Sequence, residues 1–139
     1  MSFEEKGTWV VTAIALANAV LYFATILGQI PTTAVGDIDY QGRLLIAIGA
    51  TIGLSTLAMI AVGITSPEDA GKSDQRDKDI NRLGEYVGGI LVTFGMLVPF
   101  GLALAEAPYF WIANAMYLIF VLSGLCAAVV KVVIYRRGF

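Results

Sequence analysis

Long apolar runs broken by short polar segments organise this chain. The stretches 7–36, 44–67, 86–105 and 107–130 carry no charged residue. A hydrocarbon layer about 30 Å thick is crossed by roughly 20 apolar residues in a helix. Each stretch reaches that length, and runs this long are not strands. Lipid offers the backbone no hydrogen-bond partners, so spanning segments are helices or closed barrels. The pattern therefore predicts an all-α membrane protein, a bundle of four transmembrane helices in a single domain covering 1–139. The expected spans are about 8–30, 44–64, 86–105 and 109–135. Trp9, Tyr109, Trp111 and Tyr135 fall where aromatic anchors belong at the interfaces. Pro31 is expected to end the first span.

Charge placement orients this bundle. Eight of the nine Lys/Arg residues lie on one side of the spans: Lys6, Lys72, Arg76, Lys78, Arg82, Lys131, Arg136 and Arg137. Arg43 alone lies on the other. The positive-inside rule then puts both termini and the 66–85 segment in the cytoplasm. The loop at 31–43, with Asp37 and Asp39, and the turn at Glu106–Pro108 face outside. The acidic start and the length of the first apolar run argue against a cleavable signal. Lys131 sits one turn inside the fourth span, with a stem long enough to snorkel.

The segment 66–85 is the one sizeable polar part. Ser66-Pro67-Glu68-Asp69 reads as a helix start, and Ser73 as a second possible cap. Asp74 and Lys78 are four apart, and Ile80, Leu83 and Val87 share a helical face. The third span is thus expected to begin near residue 74 as a cytoplasmic helical extension. The whole helix would be about 48 Å long at 1.5 Å per residue, with Gly84, Gly88 and Gly89 as places for a bend.

Composition narrows the chemistry. The chain has no histidine and one cysteine, Cys126. The commonest metal and haem ligand is missing, paired-thiol chemistry is excluded, and no Gly-rich nucleotide loop is present. No catalytic, metal-binding or cofactor-binding residue is assigned, and an enzyme is not expected. Cys126 reads as a small packing residue. No acid falls within a span, unlike small proton-coupled drug antiporters. Asn18, Gln29, Asn114 and Tyr117 are the notable intramembrane polar positions. The two asparagines are expected to hydrogen-bond between helices rather than hold a permeant. Small residues recur four apart at Ala13/Ala17, Gly49/Gly53, Gly84/Gly88, Gly101/Ala105 and Gly124/Ala128, suiting close helix packing within the chain or between copies.

The stretch Ser73–Gly89, with a run of the form D-x-R-D-x-x-I-x-R-x-G from Asp74 to Gly84, resembles a motif of uncharacterised small prokaryotic four-span membrane proteins. It covers a small part of the chain. The resemblance implies a bacterial or archaeal cytoplasmic-membrane protein and brings no activity with it.

The function these features favour is a non-enzymatic accessory or regulatory bundle. It would act through a membrane-protein partner or by self-association in the bilayer, and no nucleic acid is implied. Asp74, Arg76, Asp77, Lys78, Arg82 and Glu85 form the candidate interaction surface. The alternative is an oligomeric pore or transporter for a small solute, lined by Asn18, Thr25, Gln29, Asn114 and Tyr117. A lipid-directed enzyme using Asp74, Asp77 and Asp79 ranks third.

Overall fold

A computed structural model describes residues 2–67 and 74–138, and every regular element among them is helical. Helix α1 covers Phe3–Leu27, α2 Gln41–Thr65, α3 Gln75–Gly95, α4 Leu97–Leu104 and α5 Tyr109–Arg137, with a short 3-10 turn at Val35–Asp37 before α2. Helices α1, α2, α5 and the α3–α4 pair are each long and apolar enough to cross a membrane. The expected all-helical architecture with four such segments is therefore present.

Helix ends follow local chemistry. α1 starts at Phe3 rather than near Thr8, because Ser2 caps it: the Ser2 hydroxyl accepts from the Glu5 N–H at 3.1 Å. Glu4 and Glu5 in the first turn suit the positive end of the helix dipole. α1 stops at Leu27, before Pro31, as turns at Gly28–Thr33 fold the chain back on Gln29. α3 starts where the sequence places it. Asp74 is its cap, and its carboxylate accepts from the Asp77 N–H at 2.8 Å. The expected helix start at Ser66-Pro67-Glu68-Asp69 runs beyond Pro67 and lies outside the described residues, as does Ser73; Ser66 itself caps the end of α2.

The third span breaks at Met96, not at its early glycines. Pro99 explains the position: it has no N–H to offer the carbonyl four residues back, and its ring crowds that carbonyl, Gly95. α4 then ends in a tight turn. The Ala107 N–H bonds to Leu102 and the Glu106 N–H to Ala103, with Glu106 at φ 53°. This is the Schellman pattern with a glutamate where glycine is usual.

α1 and α5 form the centre of the molecule. α2 packs on α1, while α3 and α4 pack on α5. The helices thus sit in a row, α2–α1–α5–α3, rather than in a closed ring. One end holds both termini and the start of α3 (the termini end). The other holds the 28–40 segment and the α4–α5 turn (the loop end).

At the loop end, Tyr22, Ile26, Ile38, Tyr40, Ala47, Phe110 and Tyr117 make one buried cluster. Tyr22 meets Tyr117 edge-on at 5.2 Å, and Tyr40 meets Phe110 at 5.3 Å. The loop after α1 is therefore more than a polar link: Ile38 and Tyr40, which alternate with Asp37 and Asp39, fold inward. On the α3–α5 seam the buried stripe is Asp77, Ile80, Gly84 and Gly88. It replaces the expected Ile80/Leu83/Val87 face, and Leu83 is exposed. Ser123 donates to the Gly88 carbonyl at 2.8 Å, an approach that a side chain at 88 would obstruct.

Candidate functional site

Three places carry polar chemistry: the outer face of α3, the polar positions within the spans, and the termini end of the bundle.

Asp74, Arg76, Lys78 and Arg82 are exposed along the first turns of α3, together with Asp79. Glu85 is exposed as well, but it borders a crevice with Glu4 and Lys131 and is set apart from that group. Asp77 departs from the expected surface, because it is 7% exposed. Its carboxylate accepts from the Tyr135 hydroxyl at 2.9 Å, with a longer 3.5 Å contact from Ser2. Helical spacing turns position 77 toward α5 while 76, 78 and 82 face away. The residue also lies in the first turn of α3, where the helix dipole favours an acid. Asp77 is thus a three-helix tie rather than a docking group.

Neighbouring bonds extend that tie. The Asn81 amide reaches Glu4 at 3.3 Å, Lys6 donates to Ser66 at 3.2 Å, and Arg136 lies 5.6 Å over the Trp9 ring. Ser2, Glu4 and Asn81 gave no sequence signal, since their partners lie on other helices. Tyr135 read only as an interfacial anchor.

The intramembrane positions are engaged within the chain. Asn18 donates to Thr51 at 3.2 Å, joining α1 to α2. Asn114 is 7% exposed; it accepts from the Tyr22 hydroxyl at 2.7 Å and donates to the Phe110 carbonyl at 2.8 Å. Gln29 donates to the Thr25 carbonyl of its own helix end at 2.9 Å. Tyr117 is buried against Tyr22 and Phe23. The two asparagines thus serve helix–helix bonding, as their cost in lipid demands. Cys126, read as a small packing residue, is exposed on α5.

Two cavities follow the α1–α5 junction. One, of about 460 Å³, opens among Glu4, Asn81, Glu85 and Lys131 at the termini end. The other, of about 420 Å³, is bounded by α1, α2 and α5, with Thr51, Ile52, Tyr117 and Phe120 in its walls. Val11, Thr12 and Gly124 line both. Among the described residues no group of three or more acidic or Cys side chains is arranged to hold a metal ion.

No protein-family model, curated protein or solved structure matches the chain.

Proposed function

We infer that this chain is a multi-pass, non-enzymatic module of a prokaryotic cytoplasmic membrane, with both termini inside, that acts through a membrane-protein partner or a second copy of itself. The outer face of α3 is its contact surface: Asp74, Arg76, Lys78, Asp79 and Arg82. One observation carries this reading. The opposite face of the same turns is fixed by Asp77 and by Ile80, which is 0% exposed, so the exposed charges are held in a defined array. A rigid mixed-charge array selects partners by complementarity. Exposed ion pairs add only about 0–1 kcal/mol to stability, so stability is a weak reason for placing them there. The Lys/Arg asymmetry and the Asp74–Gly84 motif support the compartment and the orientation.

The rival reading, an oligomeric pore or transporter, loses support from the bonds of Asn18, Gln29 and Asn114, which leave those side chains engaged inside one chain.

The test is a joint Arg76→Gln, Lys78→Gln and Arg82→Gln variant, purified by affinity tag from native membranes. Reporter fusions at positions 35 and 139 check that topology is kept and should report opposite compartments. The variant should insert normally and lose the proteins, or the second copy, that the wild type retains. If it keeps them, while Asn18→Ala or Asn114→Ala removes the cellular phenotype, the intramembrane pathway replaces the surface reading.

A further inference from the structure

We propose that the crevice between α1 and α5 is a binding site for one zwitterionic aminophospholipid, with its head group at the Glu4–Glu85–Lys131 mouth and a tail running inward to Tyr117. The site meets the charged face of α3 only at Glu85 and does not depend on the partner reading.

Continuity is the first argument. The polar and apolar cavities share Val11, Thr12 and Gly124, so they adjoin end to end along the α1–α5 junction, and together they give the passage its length. Lys131 at one end and Tyr117 at the other are both on α5, about 21 Å apart at 1.5 Å per residue. Half of a bilayer's hydrocarbon core is about 15 Å deep. The passage is therefore long enough to take a tail from head-group level to mid-membrane.

Gly124 is the second argument. It lies within α5, where glycine is less favourable than alanine by about 0.8–1.0 kcal/mol. A Cβ built there meets nothing within 4 Å. Close helix packing therefore does not account for this glycine, unlike Gly84 and Gly88. Its open side faces the junction of the two cavities, and its small size keeps the passage clear.

Charge selects the head group. Two carboxylates and one ammonium line the mouth, together with the Asn81 amide. The stem of Lys131 lies against Gly84, where an added Cβ would stand 2.6 Å from it. A lipid phosphate can meet Lys131, and a primary ammonium can meet Glu85 and Glu4. Bonds of this charge-assisted kind are the stronger ones. An anionic head group would satisfy Lys131 but bring no positive charge to the two carboxylates, offering them at most neutral hydroxyl donors. The tail adds little selectivity, because it leaves one apolar surrounding for another. Discrimination thus rests on the mouth and occupancy on the passage.

The experiment reconstitutes the full chain into vesicles containing equal amounts of phosphatidylethanolamine and phosphatidylglycerol. The lipid retained after detergent extraction is counted by native mass spectrometry. The wild type should keep one phosphatidylethanolamine per chain, preferred by roughly tenfold, the scale of one charge-assisted bond. Gly124→Leu should remove retention of either lipid. Ile52→Trp, at an exposed position on the facing wall, should lower it independently, with helicity and elution checked for both variants. Glu85→Gln should leave a lipid bound and erase the preference. Equal retention of both lipids by the wild type, or a preference for phosphatidylglycerol, overturns the head-group assignment. No retained lipid, or unchanged retention in folded Gly124→Leu and Ile52→Trp, overturns the site.

Discussion

The Asp77 carboxylate joins three of the helices that meet at the termini end: it lies on α3, accepts from Tyr135 of α5 and is approached by Ser2 ahead of α1. Removing it leaves a part-buried hydroxyl without its acceptor. An unsatisfied polar group costs about 1–3 kcal/mol, whereas removing both partners of a bond together is milder. Asp77→Ala is therefore expected to destabilise the bundle by about 2 kcal/mol and Tyr135→Phe by about 1 kcal/mol. The double variant should fall short of their sum by about 1 kcal/mol, the coupling of groups in direct contact. Unfolding in mixed detergent micelles, followed by circular dichroism, measures all three. Strict additivity would mean that the two side chains do not interact. None of this was legible from Asp77 itself. In the sequence it is one of several acids in a charged run, and only the rotation of α3 against α5 distinguishes it from Asp74 and Asp79.

Between elements, glycine sets how closely helices approach, and position decides which glycines matter. A Cβ at Gly88 would lie 3.2 Å from the Ser123 carbonyl, and one at Gly84 would press on Lys131, whereas Gly49 and Gly53 on α2 have nothing within 4 Å. Gly88→Val must spread the α3–α5 seam and weaken the Ser123 hydrogen bond. Overpacking of this kind costs about 1–3 kcal/mol. Gly53→Val projects into open space and should change stability by no more than about 0.5 kcal/mol. Thermal unfolding of the two purified variants in one detergent separates them, and an equal loss in both would refute the assignment of the seam. The sequence offered both pairs as equivalent small-residue motifs. It could not choose, because a glycine facing lipid and one facing a helix leave the same four-residue spacing. Helix existence was legible for the opposite reason: long uncharged runs such as 107–130 have few alternatives in lipid. The break at Met96 was half legible, since Pro99 stands near the end of that span while the break falls three residues earlier, beside the Gly95 carbonyl that the ring crowds. The inward fold of Ile38 and Tyr40 was hidden by the aspartates beside them.

Across the whole molecule, the row α2–α1–α5–α3 makes stability uneven. α5 is held by aromatic packing, by the Ser123 bond to α3 and by the Asp77 tie. α2 has one buried residue, Ala47, and rests on α1 through Asn18–Thr51, Lys6–Ser66 and the fit of Met59 over Gly7. The candidate contact surface was legible as a charged run, because charge clusters survive without tertiary information. The crevice was not, since Glu4, Glu85 and Lys131 come together only when α1, α3 and α5 assemble. Regions with few buried contacts open first, so α2 should separate from α1 before α3 leaves α5. Spin labels at exposed pairs Val20/Ile46 and Tyr86/Val129 report the two seams. As sodium dodecyl sulfate is titrated into mild detergent, the Val20–Ile46 distance should broaden at the lower fraction. Asn18→Ala removes a hydrogen bond of a kind worth about 0.6 kcal/mol in membranes. It should move that first transition earlier and leave the Tyr86–Val129 transition in place, because the Asn18 side chain bonds to α2. Simultaneous loss of both distances, or a shift of both by Asn18→Ala, would mean that the helices melt as one unit and that α2 is no weaker a member than the rest.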